Sequence, residues 1–471
     1  MSLHQLTALE QGAALRAGEF TAVELTEQYL RRTEELNDKV GAFITVIADD
    51  AIEQARRVDG LLQRGEEPDS PLLGVIAPVK DLDLMAGVRC TFGSTLFADF
   101  VAPTDAEFVS RMRAAGLIIT GKTNTPEFGL PCYTENRVAP PARTPWDLSR
   151  SAGGSSGGAA AAVATGLASI AQGSDGGGSI RIPASVTGLV GIKPSRGRVG
   201  MAPLVDQLGE LAVVGPLART VADAAAFLDV LAGGSAGDPF MHPPLTPGHF
   251  LAASQRHPTR LRIGRYREPV IADTELDPEC IAAYENTSQL LLELGHELVD
   301  IERPFGPDAV PAFEAVWDGG VAALPLPADA NQHMVPLSRW LRERGQRRFA
   351  AEVFHAVQRM RETARAAIEA TEPWDAVLTP TLAHVPAPVG GLRDDSDPAA
   401  DFQAQKEFTP FTAPYNVTGQ PAISLPQWWS PAGLPIGVQL VGRPGDESTI
   451  ISLAAQLEEA APRPPTHDLW D

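Results

Sequence analysis

The chain has 471 residues, 44% hydrophobic and 21% charged, the balance of a soluble globular protein able to bury a large core. A formal net charge of −21 argues against nucleic acid or an anionic membrane surface as a partner, since both need clustered Lys and Arg. Three widely spaced cysteines (Cys90, Cys132, Cys280) make neither a disulfide framework nor a metal-ligand set, and suit a reducing cytoplasm.

Met1 to Gln5 carry no basic n-region and no apolar h-region, so no secretory signal is expected. The residues up to about 60 read as helix. Within them Thr21-Ala22-Val23-Glu24 forms a capping box, and Leu25, Tyr29 and Leu30 share one face of the helix it opens. Val75 to Val79 predicts a strand, Phe108 to Ala115 a helix and Leu117 to Thr120 a strand, with Gly116 and Gly121 as punctuation. That alternation predicts an α/β fold.

An alanine-rich helix over Ala159 to Ala164 starts directly from Gly157-Gly158. The longest apolar stretch, Gly158 to Ala171, is too short to span a bilayer. Gly188 to Pro194 reads as a strand ending in a turn, and Val221 to Leu231 as a helix closed by Gly233-Gly234. Residues 235–260, rich in Pro and Gly, are a surface connection, and a βα-like stretch begins at Leu261. Residues 337–371 are helical, with Trp340, Phe349 and Phe354 on spacings that suit packing. Strands return at Ala376 to Thr379, Ala422 to Leu425 and Ile436 to Val441, with a loop over 386–401. There is no internal repeat.

Two motifs mislead. Gly116 to Thr123 fits GxxxxGK[ST], but its interior, Leu117-Ile118-Ile119-Thr120, is apolar and largely β-branched, a strand rather than a phosphate-cradling nest. Gly153 to Gly157 fits GxSxG, yet the polar Asp147 to Ser151 precedes it where that elbow needs an apolar strand, and no histidine lies nearby.

Two glycine-rich serine clusters carry the chemistry: Gly153-Gly154-Ser155-Ser156-Gly157-Gly158 and Gly173-Ser174-Asp175-Gly176-Gly177-Gly178-Ser179. Glycine allows a backbone tight enough to aim several N–H groups at one point, where an attacked carbonyl would become an oxyanion. A flexible spacer would explain neither the helix that leaves the first cluster nor the charged pair Asp175 and Arg181 beside the second.

With Lys80-Asp81 upstream, these clusters fall in order with Gly121 to Phe128, Pro145-Trp146-Asp147, Gly191 to Gly197, Asn416 to Ala422 and Gly433 to Gln439. The set resembles the amidase signature family over roughly residues 5 to 460. The resemblance implies one α/β domain over 1–471, a mixed, mostly parallel twisted sheet with helices on both faces. Residues 65–235 would be its catalytic core, 236–375 a connection and helical cap, and 376–460 the strands and helix that complete the sheet.

It also implies Ser179 as nucleophile, Ser155 as a bridging serine held by a cis peptide, and Lys80 as base. The amides of Gly176, Gly177, Gly178 and Ser179 would form the oxyanion hole. Ser156, Ser174, Asp175 and Arg181 would hold the loops in shape. A lysine serves as base only if its pKa falls toward neutrality, which burial against Val75 to Val79 would bring about. No metal and no cofactor is expected. The expected partners are a small amide and water, with neither nucleic acid nor membrane, in a cytoplasmic monomer or homodimer.

Leu130, Tyr133, Phe313, Trp317, Met334 and Trp340 are candidates for an apolar substrate pocket. The resemblance favours a stand-alone amidase for aryl or alkyl amides, carbamates or esters. The alternative is the amidase subunit of a glutamyl-tRNA(Gln) amidotransferase, releasing ammonia from glutamine. That reading loses ground at Val205 to Glu210, where such a subunit typically reads Ser-Leu-Asp-Gln followed at once by Gly-Pro. Two further departures from the family's commoner pattern are Gly176, where threonine is frequent, and Thr144 before Pro145-Trp146-Asp147.

Overall fold

In the computed structural model the expected capping box at Thr21 forms, its hydroxyl accepting from the Glu24 N–H at 3.1 Å. The structure describes residues 2–204, 209–240, 242–461, 467, 469 and 470, so positions 205–208 of the Val205 to Glu210 stretch lie outside the described residues. The N-terminal region is not helix throughout. Gly41, in the left-handed region at φ 61°, ends helix Ala22–Val40, and strand β1 (Phe43–Val46) precedes helix Ala48–Arg64. Phe-Ile-Thr-Val is a β-forming run that helical periodicity hides.

β1 pairs antiparallel with β3 (Gly121–Thr123), which pairs parallel with β2 (Val79–Lys80). The strands expected at Val75 to Val79 and Leu117 to Thr120 are therefore displaced toward the C-terminus, leaving only an Ile76–Ile118 bridge upstream. Pro78 has no N–H for a ladder. The apparent phosphate loop runs into β3, and Lys122 is buried 3.4 Å from Asp81.

The larger sheet contains β4 (Ile170–Asp175), β5 (Val190–Lys193), β6 (Val213–Ala218), β7 (Arg262–Arg265), β8 (Glu297–Asp300), β9 (Ala376–Pro380), β10 (Ala422–Trp429) and β11 (Pro435–Gly442). Its order is β4-β6-β5-β10-β11-β9-β7-β8. The sheet is mixed, as expected, but its parallel part is the smaller one. Only β9-β7-β8 pair in parallel, and every other pairing is antiparallel. Parallel neighbours need a crossover, which helix Pro278–Glu293 provides between β7 and β8, whereas a short turn suffices between β10 and β11.

Alternate residues of the strands feed two cores. Val190, Ile192, Ile423 and Leu440 pack with Phe227, Ile450 and Tyr284 from helices on one face. Ala171 and Leu217 pack with the alanine-rich helix Gly157–Ala164 and with Leu25 and Tyr29 on the other. A separate cluster joins helices Ala309–Ala322, Pro336–Gln346 and Ala350–Thr371.

Trp340 packs in that cluster, but Phe349 and Phe354 do not: they are 76% and 75% exposed. The Ala350–Thr371 helix buries Ala356, Met360 and Ala367 instead, which leaves Phe354 on its outer side. The 386–401 loop becomes helix at Pro398, capped by Asp397. It is tied down by the Val389 N–H to the Ser149 carbonyl and the Gly390 N–H to Glu135. No helix among the described residues is long and apolar enough to cross a membrane.

Candidate active site

Lys80 ends β2 with no solvent exposure. Its Nζ donates to Ser155 Oγ at 2.8 Å, Ser156 Oγ at 2.9 Å and Ser174 Oγ at 3.0 Å. Burial pulls its pKa down to about 7, against the opposing pull of Asp83 and Asp175. An amine with that pKa and three hydroxyl partners can take up a proton near neutrality.

The first serine cluster turns sharply before helix Gly157–Ala164, and the Gly154–Ser155 peptide is cis. Thr134 clasps this turn, donating to the Gly153 carbonyl at 2.8 Å and accepting from the Gly157 N–H at 3.2 Å. Space explains Gly154, because a Cβ there would lie 2.7 Å from the Tyr133 backbone. Ser156 does more than shape the loop: besides accepting from Lys80, its hydroxyl donates to the Ser174 carbonyl at 3.1 Å.

The second cluster leaves the end of β4, and the Ser156 N–H donates to the Ser179 carbonyl at 3.2 Å, joining the two loops. Asp175 organises this loop by accepting from the Gly178 N–H at 2.7 Å and the Ile180 N–H at 3.1 Å. Burial alone would raise the Asp175 pKa, but Arg181, Lys193 and Asn416 hold it well below the usual carboxylate range. Gly178 therefore does not belong among the free donors, because its N–H is spent on Asp175. Among the described residues the amides of Gly176, Gly177 and Ser179 have no internal acceptor.

Ser179 lines a cleft of about 780 Å³, its open mouth included, together with Leu130, Phe313 and Trp317. The Phe313 and Trp317 rings stack at 5.3 Å, and the Trp317 ring lies 3.6 Å from where a Gly176 Cβ would stand. Three expected pocket residues lie elsewhere. The Tyr133 hydroxyl donates to Asp401 at 2.7 Å while its ring packs with Ile182 and Phe408. Met334 is buried just ahead of helix Pro336–Gln346. Trp340 packs against Phe402 at 5.8 Å and under the Arg344 guanidinium at 4.4 Å, so Phe402 lines the cleft in its stead.

Several supporting residues escaped the sequence reading. Arg181 donates to Gln439 at 2.7 Å and Asn416 at 2.7 Å, and Thr412 donates to the Gly177 carbonyl at 2.7 Å. Asn416 and Gln439 sit inside the C-terminal motifs, so their positions were visible but their task was not. Gln172, Asp83 and Lys122 lie behind Lys80; Lys122 was visible inside the Gly121 to Phe128 motif, whereas nothing in the sequence singled out Gln172 or Asp83.

The family model described as Amidase matches residues 24–451. A putative amidase of Synechocystis sp. is 36% identical over 96% of this chain and 88% of its own. A glutamyl-tRNA(Gln) amidotransferase subunit of Roseiflexus sp. is 36% identical over 96% and 95%. Among solved structures, 6-aminohexanoate cyclic dimer hydrolase complexed with substrate is 33% identical, covers 100% of both chains and superposes with a TM-score of 0.90.

Proposed function

The chain belongs to the amidase family, hydrolases of amide carbon–nitrogen bonds, and from that premise we propose that Ser179, Ser155 and Lys80 hydrolyse small hydrophobic amides. The observation that carries this reading is the contact of a buried lysine of pKa about 7 with Ser155 Oγ at 2.8 Å, close to an apolar cleft that Ser179 lines.

Ser179 Oγ attacks the substrate carbonyl as its proton passes through Ser155 to Lys80. The N–H groups of Gly176, Gly177 and Ser179 stabilise the oxyanion, each worth about 3 kcal/mol in the transition state. Lys80 returns the proton through Ser155 to the leaving nitrogen, the C–N bond breaks and an acyl-serine remains. Water then attacks that ester, its proton taken by the same route, and the acid leaves with Ser179 restored.

The cleft suits an aryl or alkyl group on the amide, and carbamates or esters of the same shape would fit. A mostly apolar lining, whose Glu314 and Lys406 pair with each other at 2.9 Å, favours such substrates over glutamine, whose α-ammonium and α-carboxylate would need charged partners of their own, and so favours a stand-alone enzyme over an amidotransferase component. The test is a panel of aliphatic amides, anilides, carbamates and glutamine offered to the isolated chain, with Ser179→Ala as control. Anilide turnover without a partner protein, lost in Ser179→Ala, supports the reading. Turnover of glutamine alone, and only with a partner, overturns it.

A further inference from the structure

Behind the serine loops, one buried side chain links the backbone of Lys80 to a carboxylate. Gln172 on β4 accepts from the Lys80 backbone N–H at 2.8 Å and donates through Nε2 to Asp83 Oδ2 at 2.9 Å. The Asp83 N–H closes the turn onto the Lys80 carbonyl at 3.1 Å, and Lys122 Nζ donates to the Asp83 carbonyl. Gln172 has no exposed surface and Asp83 is 4% exposed. A glutamine buried with both amide atoms engaged is a rigid strut, since every alternative rotamer would orphan a polar group.

The charged groups around the amine make Asp83 distinctive. Two carboxylates, Asp83 and Asp175, act on the Lys80 amine. Asp175 is committed to Arg181, with Lys193 also nearby. Asp81 faces Lys122 at 3.4 Å and accepts from Thr91. Cys90 beside them is an uncharged thiol, its pKa pushed up to about 12 by burial. The Asp83 side chain, by contrast, is held by neutral Gln172; burial raises its pKa, and Lys122, the Gln172 hydrogen bond and Lys80 itself oppose that rise and favour the carboxylate.

We propose that Asp83, held by Gln172, is a positioning residue that keeps the Lys80 amine basic enough to take the serine proton and anchors the backbone from which it extends. This rests on Lys80 acting as the base. Without the carboxylate, the buried amine would release its proton too readily and make a weaker base.

The experiment is kcat/KM against pH for the panel's fastest amide, in the wild type, Asp83→Asn, Asp83→Glu and Gln172→Leu, with thermal melts alongside. Removing the negative charge disfavours the protonated amine, so Asp83→Asn should move the acid limb to lower pH by at least about half a unit. The plateau should fall about tenfold or more, through kcat rather than KM. Asp83→Glu should bring the limb back toward that of the wild type, a rescue that a purely structural role would not produce. Gln172→Leu leaves both charges in place and should lower kcat, so it carries the test if Asp83→Asn does not fold.

A folded Asp83→Asn with the wild-type limb and plateau overturns the proposal while leaving Lys80 as base, and so does a Gln172→Leu enzyme with unchanged kcat. If Lys80→Ala keeps its turnover, the underlying reading falls, and this one with it.

Discussion

Arg181 grips both carboxylate oxygens of Asp175, Nε to Oδ2 at 3.0 Å and Nη2 to Oδ1 at 2.8 Å, and neither side chain reaches solvent. The same carboxylate takes the Gly178 and Ile180 N–H groups, so this ion pair sets the shape of the loop that carries Ser179. Arg181→Met would leave a buried carboxylate unpaired, at a cost of about 3–5 kcal/mol. The urea midpoint should drop accordingly and activity should disappear with the loop geometry. The Asp175 pKa is lowered on folding, so its contribution is complete above its unfolded value of about 3.9 and is lost as pH falls through the lower folded value. Urea midpoints taken down a pH series should fall more shallowly below about pH 4 in Asp175→Asn than in the wild type.

Lys80 works the other way. Its folded pKa of about 7 lies below the roughly 10.4 of an unfolded lysine, so between these values the folded state binds fewer protons and stability rises with pH. At and below about pH 7 the full penalty applies. Lys80→Met should therefore stabilise the protein at pH 7, on the order of 2 kcal/mol once the serine hydroxyls it orphans are counted. The same variant should lose about 10⁴-fold or more in turnover. In the wild type, kcat/KM should climb as pH passes through about 7, since only the neutral amine accepts a proton. Paired melts and rates at pH 7 and pH 9 check both halves.

The Trp317 ring stands against Gly176 and lines the cleft. Trp317→Ala should shift the ratio of kcat/KM for bulky over compact acyl groups by about tenfold or more, the scale of one or two methylenes in an apolar pocket. A homologous series of acyl anilides measures this directly. An unchanged ratio would mean that the acyl group lies elsewhere.

Phe349 and Phe354, although spaced as if to pack, stand in solvent. Replacing both with serine should change stability by no more than about 0.5 kcal/mol at each site. Trp340→Ala, which strips a contact from Phe402 and Arg344, should cost on the order of 2 kcal/mol. Thermal melts of the two variants should separate clearly.

Local signals in the chain are legible where one residue decides the outcome. The Thr21 capping box, the helix Val221–Leu231 and the serine turns before and after β4 all lie where glycine, proline and capping side chains put them. Errors arise where a partner distant in sequence decides. Strands β2 and β3 pair beyond the apolar runs that mark them, because Pro78 cannot join a ladder. Trp340 and Tyr133 have the composition of pocket residues, but Arg344 and Asp401 draw them into the packing behind it. Of the four amides expected to form an oxyanion hole, that of Gly178 is taken by Asp175 for the same reason.

The sequence by itself determined the family and the α/β character, and it located the lysine and the two serine clusters on which the proposed mechanism rests, because glycine-rich turns and ordered motifs are written in consecutive residues. Only the tertiary structure decided that Lys80 loses all contact with water, and with it most of the preference for the charged amine. Desolvation is a sum over neighbours from many parts of the chain, and so is the choice of which loop amides stay free. Gln172 and Asp83 acquire their relation to Lys80 by the same route, through strand β4 packed behind β2.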